Sequence, residues 1–427
     1  MVSSKAYGQV KMAWGKVVAF AVVVMLALVG CFAPLRAHAS TEDYALLADT
    51  HFGQPGMPAY DDAKKALLWT AASNNLRAVC VAGDLTDRGD AVAYSEWEYL
   101  CDGIAGNAKR IQALGDHDTG KSGAYLEVDK TLTAANGYRY FKQINNGATT
   151  SYHEFGHANV MTIGGVRDEG YSVITNSMLT QLNARLLKTA RQGKIAIVVC
   201  HYPYSSPALN KRAALMGILR SYPNVVFVSG HRHRYSTDQQ CQIVRPSSVT
   251  TPYDRTGFDE STKYPLHSIG VNACCSYRSG SYVFADMLSI ADDGTVTLRA
   301  RNVSKNQTTK AYRFKQARSS VSIKCAPASE QYPGDGLFTV KVSFSDGGTY
   351  SGVKSGSTIE LEPGGSKKLS GLPAGVLVSA KIMTVPSGWS KPGSQSVEVG
   401  TSAKSLKLKP KYMNDAAFDK LRASTSD

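Results

Sequence analysis

The chain is short of acidic residues: 34 Asp+Glu stand against 48 Lys+Arg, for a formal net charge of +14. No acidic residue precedes Glu42, whereas Lys5, Lys11, Lys16 and Arg36 do, so the remainder carries a smaller excess of +10. Its Lys and Arg are dispersed, without the long cluster of a nucleic-acid patch, and no specific nucleic-acid binding is expected. Repeats, charge blocks and low-complexity tracts are also missing. With 43% hydrophobic and 19% charged residues, this excludes a mostly disordered chain. No apolar run reaches the roughly 20 residues of a membrane span. The nearest to one, Val17 to Val29, follows three lysines and has the form of an export signal.

Two ends of that signal are open. Ala37-His38-Ala39 offers a small-x-small cleavage site that would start the mature chain at Ser40. Leu28-Val29-Gly30-Cys31 resembles a bacterial lipoprotein box, which would attach the chain to a membrane through a lipidated Cys31. Both of these, and an uncleaved anchor, export the protein, so a secreted or cell-surface location is expected. The chain has eight cysteines, and setting Cys31 aside leaves an odd number. Cys80 and Cys200 sit in apolar strand-like runs and read as buried free thiols. Of Cys101, Cys241, Cys274, Cys275 and Cys325, a pairing of Cys241 with Cys274 or Cys275 is expected, because adjacent cysteines pair poorly with each other.

At about 100–200 residues per domain, the length suggests two or three domains. From Thr41 to about Tyr235, short apolar runs alternate with amphipathic stretches. The runs are Tyr44–Ala48, Ala78–Ala82, Arg110–Leu114, Ile195–Cys200 and Val225–Ser229. Pro58–Asn75, Ala91–Ala105, Ser177–Arg191 and Lys211–Ser221 read as helices. In the third, Leu179, Leu182, Leu186 and Ala190 share a face, Asn176 is placed to cap the start and Gly193 follows the end. This alternation predicts an α/β fold whose strands are buried on both faces. Tyr152–Gly164 and Tyr282–Val303 read as hairpins, the latter turning at Asp292-Asp293-Gly294. Composition shifts near Ala317. Residues 319–411 are rich in Gly, Ser, Val and Lys, with short alternating runs between turn clusters, and predict a small β-sandwich. A polar tail, 412–427, closes the chain.

Each apolar run of the first domain ends at potential metal ligands: Asp49-Thr50-His51, Gly83-Asp84-Leu85-Thr86-Asp87-Arg88-Gly89, Gly115-Asp116-His117-Asp118, His201, and Gly230-His231-Arg232-His233. In open α/β sheets the strand carboxyl ends share an edge, so residues far apart in sequence converge there. Carboxylates with imidazoles, and no thiolate, suit Mn²⁺, Fe, Zn²⁺ or Ni²⁺ better than Ca²⁺. Only nine histidines occur; apart from His38, five lie in these endings and His153, His157 and His267 elsewhere. A lone histidine is usually a surface or packed residue, but this grouping beside mutually repelling carboxylates points to metal.

The order DTH, GDLTDRG, GDHD, HYP, GHRH resembles the motif series of the calcineurin-like metallophosphoesterases, over roughly residues 41–310. The resemblance implies a four-layer α/β/β/α sandwich with a centre of two metal ions: Mn²⁺, Fe²⁺/Fe³⁺ or Zn²⁺. By position, Asp49, His51 and His233 would bind one ion, Asp84 would bridge, and Asp116, His201 and His231 would complete the second site. His117 would lie outside the metal ligands, as acid to the leaving group or donor to the phosphoryl oxygens, with Asp118 orienting it and Asp87 and Arg88 behind the ligands. Such a pair of ions polarises a phosphoryl oxygen and generates a bridging hydroxide near neutral pH. A proton from His117 lowers the barrier to leaving-group departure.

Two departures matter. Asp116 stands where the family usually has Asn, adding a negative charge; it is expected to favour a trivalent/divalent pair, or a monoanionic diester over a dianionic monoester. Asp87 stands where purple acid phosphatases have a tyrosine, which argues against a tyrosinate-coloured iron centre. His153 and His157 alternate between the faces of their hairpin and read as packing residues before substrate contacts. Tyr202, Tyr204 and Tyr235 flank metal histidines, either to stack a base or to pack on the sheet edge. The stretch LEPGGSKKLSGLPAGVLVSAKI resembles the prealbumin-like modules of bacterial surface proteins, without the Glu of the internal-isopeptide type, and implies an all-β Ig/prealbumin-like spacer or binding module. The expectation is an exported metal-dependent phosphoric ester hydrolase acting on small phosphate esters, as a phosphodiesterase. The alternatives are a phosphomonoesterase, or a surface adhesion protein with a degenerate first domain.

Overall fold

The computed structural model describes residues 40–53, 58–119, 134–145, 147–164, 167–168, 171–172, 174–204, 206, 209–233, 242–244, 264–276, 282–325 and 336–412. The export segment with Cys31, and also Tyr235, Cys241 and all but the first residue of the polar tail, lie outside the described residues. The expected Cys241 pairing therefore lies outside them too.

The first part has strands β1 (Thr41–Leu47), β2 (Leu76–Val81), β3 (Lys109–Gln112), β4 (Tyr152–Glu154), β5 (Ala158–Thr162), the short pair β6 (Arg167–Asp168) and β7 (Tyr171–Ser172), β8 (Ile195–Cys200), β9 (Val225–Ser229), β10 (Gln242–Val244), β11 (Leu266–Gly270), β12 (Phe284–Ala291), β13 (Thr295–Asn302) and β14 (Gln307–Lys315). Its helices are α1 (Ala59–Ala71), α2 (Ala91–Ile104), α3 (Ala134–Ile144), α4 (Asn176–Arg191) and α5 (Arg212–Arg220). One sheet runs β14-β13-β12-β1-β2-β3 and the other β10-β11-β9-β8-β5-β4. β1, β2 and β3 are mutually parallel, as are β5, β8, β9 and β11, so within each sheet their carboxyl ends share one edge.

The sheets face each other across a core that includes Tyr44, Leu46, Cys80 and Ile111 from one and Val160, Ile197, Val228 and Ile269 from the other. The outer face of the first sheet packs on α1 and α2 through Leu67, Trp97 and Leu100; that of the second packs on α4 and α5 through Leu182, Leu186, Leu215 and Leu219. The result is the four-layer α/β/β/α sandwich. Both faces of β8 and β9 are buried along their whole length, which explains their unbroken apolar sequences. Cys80 and Cys200 are buried free thiols, and burial pushes their pKa values up to about 12 and about 11.

Glu42, on β1, joins the two sheets. It accepts from the backbone N–H groups of Gly156 (3.1 Å) and His157 (2.7 Å) at the β4–β5 turn, and from the Tyr44 hydroxyl (2.8 Å). Helix α4 is capped by Thr175, whose hydroxyl accepts from Met178 N, and not by Asn176 as expected. Asn176 is already within the helix, and its side chain accepts from Lys211 instead. The hairpin at Asp292-Asp293-Gly294 continues into β14, a third strand that the alternation pattern did not separate. No helix among the described residues is long and apolar enough to cross a membrane.

The second part is all β: β15 (Arg318–Cys325), β16 (Phe338–Phe344), β17 (Thr349–Tyr350), β18 (Val353–Lys354), β19 (Thr358–Leu361), β20 (Ser366–Pro373), β21 (Leu377–Thr384), β22 (Gln395–Glu398) and β23 (Lys404–Leu408). Sheets β20-β15-β23 and β19-β16-β21-β22 enclose a core of Val321, Ile323, Phe338, Val340, Leu369 and Leu406, among others. It docks on the end of α4: Arg191 donates to Gly375 O (2.9 Å) and to Glu398 (3.0 Å), while Ser345 donates to Arg191 O (2.6 Å).

Candidate metal centre

The loops that leave β1 and β2 run side by side. Asp49 N donates to Gly83 O (3.1 Å), His51 N to Asp84 O (3.1 Å), Phe52 N to Leu85 O (3.0 Å) and Asp87 N to Phe52 O (2.8 Å). Behind β8, Gly230 N donates to His201 O (3.0 Å), and His231 N donates to both carboxylate oxygens of Asp49 (3.1 Å each). The five strand ends thus meet. Asp49, His51, Asp84 and His233 present one ligand atom each within 4.8 Å of one another, and so do Asp84, Asp116, His201 and His231. Asp84 is common to both groups. A third group, His51, Asp87 and His117, adjoins the first.

Three glycines make this approach possible. A Cβ on Gly83 would lie 2.5 Å from the His201 ring, one on Gly115 would lie 2.1 Å from Asp84 N, and one on Gly230 would lie 2.9 Å from Asp49 Oδ2. The candidate ligands themselves are strained: Asp49 (φ 52°), His51 (50°), Asp84 (49°), His231 (71°) and His233 (53°) all occupy the left-handed region. Such a backbone costs a non-glycine residue about 1 kcal/mol or more and concentrates at functional sites. Nothing in the local sequence signals it.

The donor set fits metal ions. His201 Nδ1 donates to Ala82 O (2.8 Å), which leaves Nε2 facing Asp84 Oδ2 at 3.3 Å and Asp116 Oδ1 at 2.9 Å. His51 Nδ1 lies 3.3 Å from Asp87 Oδ1, which leaves its Nε2 3.9 Å from Asp84 Oδ2 and 3.2 Å from His233 Nε2. Asp84 Oδ2 is buried without a hydrogen-bond partner. An orphaned anionic oxygen between two imidazole nitrogens, with the opposite nitrogen of His201 hydrogen-bonded and that of His51 beside the Asp87 carboxylate, is an environment for a shared cation. The electrostatics agree. Burial works to raise the Asp84 pKa, but His201 outweighs it and holds the value at about 2. His201 is pushed well up by Asp84 and Asp116 against its own burial.

His117 sits at the rim, partly exposed. Its backbone N–H donates to Asp84 Oδ1 (3.0 Å), and its Nδ1 lies 3.1 Å from Asp87 O and 3.3 Å from Asp87 Oδ1. Burial would lower its pKa, but Asp87, Asp84 and Asp116 together outweigh it and raise the value to about 9. Asp118 does not orient His117 as the sequence suggested. It is fully buried, accepting from Thr86 N (2.9 Å), Thr86 Oγ1 (3.2 Å) and Gly115 N (2.8 Å), so it ties the second and third loops together. Burial and the neighbouring Asp84 push its pKa up to about 6. The residue on the His117 ring is Asp87, which the sequence placed only behind the ligands; Arg88 Nε lies 4.0 Å from its other oxygen.

The other residues singled out are elsewhere. Tyr202 is buried and packs at 4.5 Å between centroids against His231, and Tyr204 packs on the outer core. His153 lines a polar cavity of about 740 Å³ at the sheet edges, and His157 bonds Ser40 Oγ at 2.9 Å.

The family model for calcineurin-like phosphoesterases matches residues 44–235. Those residues are a calcineurin-like phosphoesterase domain. Among solved structures, the chain is similar to a purple acid phosphatase, PPD1, from yellow lupin (Lupinus luteus), at 12% identity over 65% of this chain and 54% of that one, with a TM-score of 0.49. It is also similar to a 5'-nucleotidase precursor from Thermus thermophilus, at 13% identity over 64% and 54% of the two chains and a TM-score of 0.34. The major pilin SpaD from Corynebacterium diphtheriae matches 31% of this chain and 38% of its own at 10% identity, with a TM-score of 0.18. The chain spans about half the length of the lupin and Thermus proteins. No curated protein matches it.

Proposed function

We propose that the chain is an exported, metal-dependent phosphoric ester hydrolase acting on small phosphodiesters. Its catalytic domain is residues 40–316, and residues 319–411 form a non-catalytic sandwich. The observation that carries this reading is the pair of four-residue ligand groups sharing Asp84. Asp49, His51 and His233 would hold one ion, Asp116, His201 and His231 the other, and Asp84 both. Two bound ions, of Mn²⁺, Fe or Zn²⁺ type, would supply Lewis acidity toward the phosphoryl group and a nucleophile at neutral pH.

The chain's own residues do the rest. His201 and His51 are aimed by Ala82 O and by Asp87, each through Nδ1. His117, held at Nδ1 by Asp87, has Nε2 left to give a proton to the departing alkoxide. Arg88, partly exposed beside Asp87, would bring a cation toward a phosphoryl oxygen. Asp49, Asp84 and Asp116 are three carboxylates against two divalent ions. That leaves one net positive charge, which matches a monoanionic diester better than a dianionic monoester.

The test compares a bis-aryl with a mono-aryl phosphate, with Mn²⁺ added. The diester should be the faster substrate, and Asp84→Ala should abolish both activity and bound metal. Metal-loaded protein that hydrolyses neither ester would sink the hydrolase reading and favour an adhesion role. Preference for the monoester would overturn only the diester assignment.

A further inference from the structure

The three-stranded sheet of the sandwich carries charge of one sign. Strands β15, β20 and β23 contain Arg318, Lys324, Lys367, Lys368, Lys404 and Lys407, and no carboxylate. Side chains alternate across a strand, and residues paired in register share a face: Lys367 stands opposite Ile323 and Lys404 opposite Val321, on the core side of the register, whereas Lys324, Lys368 and Lys407 belong to the other face. Val321, Ile323, Leu369, Leu406 and Leu408 point into the core. Register places Ser322 beside Lys368 on one side and Ser405 on the other, and Lys324 directly beside Lys407. These partners lie on the outer face, where Lys324, Lys368 and Lys407 are all exposed. Lys409, two residues beyond Lys407 and also exposed, continues the row. None of these four lysines makes an ion pair with a described residue. Like charges directly opposite on neighbouring strands destabilise a sheet, so Lys324 beside Lys407 is a cost without a structural return inside this molecule.

We infer that this lysine-and-hydroxyl face is a docking surface for an anionic phospholipid bilayer, which it meets by charge alone. The array is two-dimensional, spread over three strands about 4.8 Å apart with steps of about 6.8 Å along each strand. A flat grid of cations answers a plane of headgroup phosphates, whereas a linear polyanion is tracked by a single file or a groove. The outer-face positions facing one another in the register are Ser and Lys, with no aromatic or large aliphatic residue to insert. Binding is therefore interfacial and salt-sensitive. In the linear sequence Lys324, Lys368 and Lys407 are far apart, and the strand register brings them together.

The experiment measures co-sedimentation of the full chain with vesicles. One set is phosphatidylcholine alone, the other contains about 30% phosphatidylglycerol, and the readout is the excess binding to the anionic set. That subtraction removes the apolar contribution of the segment before Ser40; its Lys5, Lys11, Lys16 and Arg36 are common to every variant, so the excess owed to the sheet is the part that the Gln variant loses. Each lysine near such a surface contributes about fivefold in affinity, so Lys324→Gln with Lys407→Gln should cut the excess about 25-fold. Raising salt from about 0.1 M to about 0.5 M should abolish it. Lys324→Arg with Lys407→Arg should retain it, and hydrolytic activity on a soluble diester should be unchanged in both variants. No excess for anionic vesicles, or an excess untouched by the Gln variant, would overturn the inference. So would binding to dissolved polyphosphate with none to vesicles, which would assign the face to a soluble polymer.

Discussion

Gly115→Ala adds one methyl group and removes no ligand, yet it should disable the centre. The new Cβ would lie 2.1 Å from Asp84 N, 2.2 Å from Asp84 Oδ1 and 2.9 Å from Asp84 Cα. Relief to ordinary contact needs a displacement of about 1 Å. Gly115 cannot simply retreat, because its N–H is held by the buried Asp118 carboxylate at 2.8 Å. Asp84 is held in turn by His117 N at 3.0 Å, so the shift passes to the shared ligand and to His117 together. A misplacement of about 1 Å at reacting groups costs about 100-fold in rate, or nearly 3 kcal/mol of barrier. Overpacking should cost a further 1–3 kcal/mol or so of stability. The assay is kcat/KM on a bis-aryl phosphate, with metal content by elemental analysis and a thermal melt on the same preparation. Gly217→Ala is the control: it lies within α5 with open space around its Cβ position, and should leave activity unchanged. A folded Gly115→Ala protein with two ions and wild-type kcat/KM would refute the argument that this close approach sets the position of Asp84.

Three further outcomes are expected. Asp87→Asn, which removes the charge shared by the His51 and His117 rings, should lower metal affinity or kcat/KM by about 10–100-fold, measured by titration calorimetry and steady-state kinetics. Glu42→Ala strands two backbone donors at the β4–β5 turn and should cost about 2–3 kcal/mol in urea unfolding, with Glu42→Gln retaining part of it. His267 stacks on Phe314 with centroids 3.7 Å apart, and burial lowers its pKa from 6.5 to about 4. The unfolded chain therefore binds the proton first, and stability falls as pH drops through that window, by about 2 kcal/mol after allowance for partial exposure. In His267→Phe the urea midpoint should lose that acid dependence.

The first part of the fold was legible because its signals are local. Apolar runs buried on both faces announce β1, β2, β8 and β9, and the ligands follow directly at their ends. What sequence could not supply was direction. Asp118 follows His117 in the chain, which made it the natural partner. In the short 3-10 turn His117–Thr119, however, the two side chains diverge, one to the rim and one to the buried Thr86. Asp87, far away in sequence, reaches the ring because the second loop passes beneath the third. The cap of α4 was missed by one residue for a similar reason, since Thr175 and Asn176 are both good caps and tertiary contact with Lys211 occupies the second. The lysine face was invisible because three non-adjacent strands compose it.

The strained backbone at these five candidate ligands explains why so many bonds in this centre run from one loop to another. Five ligands in the left-handed region cost about 5 kcal/mol together, comparable with the whole stability of many domains. Something other than the metal must hold them before it arrives. The second loop, Gly83 to Gly89, is the hub. It is bound to the first loop by the backbone ladder and by Thr50 Oγ1 donating to Leu85 O at 2.7 Å. Asp118 joins it to the third loop, and the preceding Ala82 carbonyl fixes His201 of the fourth. The fifth is joined to the first through His231 N and Asp49. Each link is set by strand register and buried hydrogen bonds. The ligands are therefore preorganised by the two sheets, and binding energy from the ions need not be spent assembling five separate loops.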